Sequence, residues 1–253
     1  MIEALYIAAT GMHAEQRQLD VIANNMANLN TSAYKKERAS FDSLIALGNT
    51  SSPVLSVETK GMGSTVSHVE RTFTPGDLKN TGNPYDLAIS GEGFFEVLLP
   101  DGSVAFTRDG SFKTDENGLL TTRHGYSLAQ QFRIPPDARA ITVSERGEIT
   151  ADLGNGQEDT LGTLELARFT SNSSLQSLGN NLFLATEQSG TPFFSVPGEN
   201  GTGLVQQNHI ETSNVDLVEE LMNLTVAQRA YEVNSQVIKA ADEIMRINNS
   251  LRV

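Results

Sequence analysis

Apolar residues spaced seven apart at both ends of the chain limit its folding options more than any other feature. Near the start, Leu5, Met12, Leu19 and Met26 recur at sevens, with Ala8, Ile22 and Leu29 three positions further on and Glu15 as an interruption. Near the end, Leu217, Leu224, Tyr231, Ile238 and Met245 repeat the spacing, with Val237, Ile244 and Leu251 in a second line beside them. Seven-residue spacing gathers side chains into one stripe along a helix, and such a stripe must be covered by something. It predicts helices over residues 2–28 and 215–251, about 40 and 55 Å long at a rise of about 1.5 Å per residue. Ser213 and Asn214 are N-cap candidates for the second helix. Asp216, Glu219 and Glu220 then put negative charge where the helix dipole favours it.

Between the ends the pattern changes. Residues 42–82 are rich in Ser, Thr and Gly, and read as loop with short strands. From about residue 83, short β-prone runs such as "FFEVLLP" and "SVAFT" alternate with Asp101-Gly102, Asp109-Gly110 and "DENG" (Asp115 to Gly118). Asp-Gly steps suit tight hairpin loops. "SVPGENGTG" reads as a flexible linker before the last helix. The expected architecture is α+β: long N- and C-terminal helices form a coiled-coil-like core domain, and the middle is a β-rich domain of hairpins. The expected segments are an axial helix and turn over 1–35, a connector over 36–82, a β-rich outer domain over 83–200, a linker over 201–214 and a second axial helix over 215–253. The helices either pair once within the chain or pack against other copies. A contact of the second kind that does not close builds a filament.

Charge narrows the partners. The 253 residues carry a net charge of −13, which argues against nucleic acid and against insertion into an anionic membrane. Residues 1–41 balance four basic against four acidic side chains, residues 42–210 hold ten against twenty, and residues 211–253 four against seven. That distribution suits ends that associate and a middle that stays solvated. The absence of cysteine excludes disulfides and thiolate metal sites. No apolar run reaches the ~18–20 residues of a membrane span, and the first residues lack the pattern of a secretory signal.

No motif calls for catalysis. His13, His68, His124 and His209 have no metal-ligand spacing, and no G-x-S-x-G elbow is present. "SGEGFFEV" could pass for a phosphate loop, but a β run follows it where a helix would be needed, so a tight turn is the better reading. "DENG" resembles the start of a calcium loop, yet its twelfth position is Tyr126 and not Glu. No cofactor is expected.

"LDVIANNMANLNTSAYKKERASF" resembles the N-terminal motif of the flagellar rod, hook and hook-associated axial proteins. The matching parts are Ala23 to Asn28, Asn30-Thr31 and the aromatic-Lys pair Tyr34-Lys35. "NPYDLAISGEGFFEV", "FTRDGSF" and "DENGLLTT" resemble the shared body of the rod and hook proteins. The run from Glu211 resembles their C-terminal motif through Ser213-Asn214-Val215 and Gln228-Arg229-Ala230-Tyr231. Two features depart from the family: Ala33 stands where Gly is usual, and the segment from Leu44 to Val66 looks short. The resemblance implies a structural subunit of the rod, distal in position with proximal as the alternative, that polymerises into a helical tube and transmits torque. It implies self-association, neighbouring rod proteins, the hook protein, P- and L-ring proteins as a bushing and the flagellar type III export apparatus as partners. It also implies a basal-body location across the periplasm without a cleaved signal peptide. A secreted coiled-coil adhesin is the weaker alternative.

The expected subunit interface is the pair of helix seams: Leu5, Met12, Leu19, Ile22 and Met26 at one end, Leu217, Leu224, Tyr231, Ile238 and Met245 at the other. Four asparagines crowd the first seam's end. Asn28 or Asn30 would stop the helix, since Asn tolerates left-handed geometry. Asn24 and Asn25 would set register through amide hydrogen bonds to neighbouring subunits.

Overall fold

A computed structural model describes residues 2–47, 59–154 and 158–250. The middle of the shortened Leu44–Val66 segment, and Leu251, lie outside these. The chain forms two compact units. The first comprises Met1–Ala27, Lys36–Thr72 and Val215–Val253; the second comprises Asn28–Lys35 and Phe73–Asn214.

The first unit holds helix α1 (Ile2–Ala27), helix α2 (Leu217–Ser250), and an antiparallel ribbon of strands β1 (Glu37–Leu47) and β2 (Thr59–Arg71). These strands are far longer than the short ones expected over 36–82. Helix α2 starts at Asp216 rather than at Ser213 or Asn214. The Asp216 Oδ1 accepts the Val218 and Glu219 amides at 2.7 and 3.0 Å, which satisfies two orphan donors of the first turn. The helices run antiparallel: Asn25 of α1 meets Glu220 of α2, and fourteen residues away along both helices Gly11 meets Asn234. The ribbon packs on α1, where Gly63 takes φ +102° and leaves no room for a Cβ beside Thr10 Oγ1.

The expected coiled-coil-like core of terminal helices is not there, and that fold assignment is corrected. Among the described residues two α-helices stand beside eighteen strands. Both hydrophobic cores consist of residues of the second unit. The face that α2 buries is Glu220, Ala227 and Ala241, with Asn234 half-buried, not the apolar line beginning at Leu217. On α1 the buried residues include Ala8, Ala14, Ile22 and Asn25. Small and polar residues let the backbones approach closely, so the contact phase is set by Ala, Gly and Asn. The large apolar side chains are left beside it.

The second unit is built of strands, with a short 3-10 turn at Asn172–Ser174. A seven-stranded antiparallel sheet runs in the order Gln176–Gly179, Leu182–Leu184, Val104–Thr107, Phe95–Leu98, Ser127–Leu128, Leu120–Thr122, Phe112–Thr114. Asp101-Gly102 closes one of its hairpins, with Gly102 at φ +82°, and Asp115 to Gly118 closes another. Alternation splits neighbouring aromatics between two cores. Phe95 and Val97 enter one with Leu87, Ile89, Leu128 and Ile149, whereas Phe94 enters the other with Phe106, Phe169 and Phe183. The second core is built of edge-on rings, such as Phe106 and Phe169 at 4.8 Å and 85°. The stretch expected as a linker carries two strands. Leu204–Gln207 pairs with Leu87–Ser90, and His209–Glu211 pairs with Leu78–Asn80.

Candidate assembly interface

Helix α2 presents an apolar surface to solvent. Val218, Met222, Val226, Val233, Ile244 and Ile247 are all more than half exposed, Val226 reaching 69%. Of the residues expected on its seam, Leu217 and Tyr231 are exposed, and Leu224, Ile238 and Met245 are partly buried. On α1, Leu5, Met12, Leu19 and Met26 are partly buried, and Ile22 is 1% exposed, already filled from within the chain. Tyr6 and Ile7 face outward beside them. An open groove of about 620 Å³ lies between α1 and the ribbon, lined by Tyr6, His13, Arg17, Asp20 and Val66 among others.

The asparagines divide differently from the expectation. Asn24 is exposed, but Asn25 is buried and is used internally. Its amide faces the backbone of Glu37 in the manner of a strand partner: Nδ2 donates to the Glu37 carbonyl at 2.8 Å, and Oδ1 accepts the Glu37 amide at 2.9 Å. Nδ2 also reaches Glu220 Oε2 at 3.4 Å. Lys36 closes the cluster, 2.8 Å from both Glu219 and Glu220. Burial works against its charge, but the hydrogen bonds and charges of the two glutamates outweigh that and raise its pKa. Asn25 thus ties α1, α2 and the root of the ribbon together. It sets register within the chain, not between chains. Helix α1 stops at Ala27, where the Asn28 carbonyl accepts the Thr31 amide. The left-handed residue of this segment is neither Asn28 nor Asn30 but Ala33, at φ +56° and fully buried.

A second polar cluster lies inside the second unit. Lys35 Nζ sits 2.6 Å from Glu211 Oε1, and Arg108 Nε sits 2.9 Å from Glu211 Oε2. All three side chains are 3% exposed or less. The Gly76 amide adds a third bond to the carboxylate, at 2.8 Å. Carbonyls absorb the second positive charge: Thr74 takes Lys35 at 2.9 Å, and Gly91 and Gly93 take Arg108 Nη1 at 2.8 and 2.7 Å. Burial pushes the Glu211 pKa up, yet Arg108 and Lys35 together pull it below the ordinary value. Burial holds Lys35 below its own ordinary value against the pull of Glu211. The glycine turn in "SGEGFFEV" is therefore explained. Gly91 and Gly93, at φ +125° and +136°, aim their carbonyls at a buried guanidinium. Lys35 was visible as half of the aromatic-Lys pair. Arg108 and Glu211 stood in family-like motifs, but nothing in the sequence linked them to each other or to Lys35, because Glu211 lies 176 residues from Lys35 and 103 from Arg108 along the chain.

Among the described residues no group of His, Asp and Glu is arranged to hold a metal, and no helix is long and apolar enough to cross a membrane. Three family descriptions match the chain. Residues 5–35 match "Flagella basal body rod protein", residues 88–151 "Flagellar hook protein FlgE/F/G D1 domain", and residues 206–251 "Flagellar basal body rod FlgEFG protein C-terminal". The flagellar basal-body rod protein FlgG of Agrobacterium fabrum is 43% identical over 97% of this chain and 98% of its own. The FlgG of Buchnera aphidicola from Schizaphis graminum is 40% identical over the same shares. The rod protein FlgF of Caulobacter vibrioides is 32% identical over 97% of this chain and 96% of its own.

Proposed function

For a chain that belongs to the flagellar basal-body rod protein FlgG family, and so is a structural subunit of the distal rod in the bacterial flagellum, we propose that the outward apolar face of α2, with the exposed start of α1, joins each copy to its neighbours in a helical tube. The supporting observation is that face itself. A stripe of residues such as Val226 and Val233 on one long helix is more apolar surface than a lone soluble chain retains without a partner. The contact is heterologous and open, since a closed pair would end growth. The seam positions Leu217 and Tyr231 belong to it. The tube serves as the drive shaft between motor and hook, and no catalytic step is involved. Proximal rod proteins and the hook protein abut its ends, the P- and L-ring proteins surround it, and the flagellar type III export apparatus delivers its subunits.

Electron microscopy of the purified protein tests the reading. Tubes of uniform diameter are expected as concentration rises. Only monomers or closed dimers at every concentration, by light scattering and microscopy, would overturn it.

A further inference from the structure

The chain passes between its two units four times, after residues 27, 35, 72 and 214. The residues beside three of these crossings are bonded to one another around the buried cluster of the second unit. Lys35, the last residue before one crossing, is bonded to Glu211 and to the Thr74 carbonyl. Thr74, just after the next crossing, also receives the Asn214 side-chain amide on its carbonyl and hydroxyl, at 3.1 and 2.9 Å. Asn214 is the last residue before the final crossing, and its backbone amide donates to the Tyr34 carbonyl at 3.4 Å. The Ala33 amide donates to the Glu211 carbonyl at 2.8 Å. Three linker strands distant in sequence thus leave the second unit from one bonded root, with Glu211 and Arg108 at its centre.

We infer that Lys35, Glu211 and Arg108 are positioning residues that clamp this root and so carry torque through the subunit. The inference rests on the rod function proposed above. The four crossings are the covalent path along which load passes from one unit to the other. A strand held only by its own covalent continuation bends easily. Strands cross-bonded around a buried ion pair behave as clamped ends: releasing Lys35 leaves a charge in the interior without its partner, and the exposed bonds of Asn214 to Thr74 tie the third strand to the same root. An ionic clamp suits this task better than an apolar one, since its bonds are directional and fix orientation as well as distance.

The cluster offers a selective test. Lys35→Met removes one cation and leaves Arg108 and Glu211 as a neutral pair, while Glu211 Oε1 and the Thr74 carbonyl lose their donor. The variant is expected to melt at a lower temperature, to keep both cores of the second unit, which the cluster does not line, and to form tubes. Amide exchange at Ala33 and Asn214 should rise about tenfold, and the persistence length of the tubes in electron micrographs should fall several-fold. Asn214→Ala, which removes the side-chain bonds to Thr74 without touching any charge, should move both readouts the same way, and serves if Lys35→Met fails to fold. Variant tubes as stiff as wild type despite faster exchange would overturn the inference, as would unchanged exchange in both variants. Absence of tubes from the wild-type protein would instead count against the proposed function.

Discussion

At the scale of single residues, Ala33 shows how a backbone requirement leaves a trace in sequence. The segment between α1 and Tyr34 must turn so that the Ala33 amide reaches Glu211 and Lys35 reaches its buried site, and the turn demands φ +56°. A side chain there meets its own carbonyl at a cost of about 1–2 kcal/mol, whereas Gly adopts the geometry freely but loses more entropy on folding. The Gly usual in the family answers that need, and this chain departs from it. Ala33→Gly is therefore expected to stabilise the protein by about 0.5–1 kcal/mol, read as an upward shift in the urea midpoint. A downward shift would show that the turn relaxes another way. Glu211 carries a pH dependence of definite sign. Its folded pKa lies below the ordinary carboxyl value, so its contribution is complete above that value and is lost as pH falls through the folded one. Protonation leaves Lys35 and Arg108 buried without their anion. Lys35, also held below its ordinary value, adds no loss on the acid side. Glu96, raised by burial and by the charge of Glu165, works in the opposite direction and is only half-buried. The urea midpoint should hold steady from neutral pH down to about pH 5 and drop below about pH 4. A midpoint unchanged to pH 3 would remove Glu211 from this role.

At the scale of elements, the two helices are legible as helices, but their expected coiled-coil-like core is not what joins them. Heptad spacing is a property of one chain segment and survives any environment. Which face turns inward depends on what lies opposite. Here the choice went to Glu220, Ala227, Asn234 and Ala241, because Asn25 and Lys36 fix the start of α2 and Gly11 makes room for Asn234. Hydrophobicity is the visible signal and drew the expected subunit interface to the large apolar residues, whereas the small residues of the close contact within the chain carry no such signal. The start of α2 was misplaced for a related reason. Ser213, Asn214 and Asp216 are all good caps, and only the bonds of Asn214 to Tyr34 and Thr74 remove it from competition. Asp216→Ala is expected to cost about 1 kcal/mol and to raise exchange at the Val218 and Glu219 amides. Unchanged protection at those two amides would show the cap to be redundant.

At the scale of the whole molecule, the outward face of α2 separates folding from assembly. A charge at Val226 or Val233 meets solvent in the free chain, so Val226→Asp should change stability by no more than about 0.5 kcal/mol. In a tube the same charge would be buried without a partner, and assembly should fail. Sedimentation of wild type and variant at matched concentration checks both halves, and polymerisation of Val226→Asp would move the interface elsewhere. The sequence by itself determined the two terminal helices, the β character and Asp-Gly turns of the middle, the acidic surface and the family, because each is written in local spacing, composition or contiguous motif. The tertiary structure alone decided that both cores belong to the β unit, that Asn25 serves the chain's own register, and that Lys35, Arg108 and Glu211 share one site. These outcomes depend on contacts between residues far apart in the chain, whose energies come from burial and paired charge that no local pattern records.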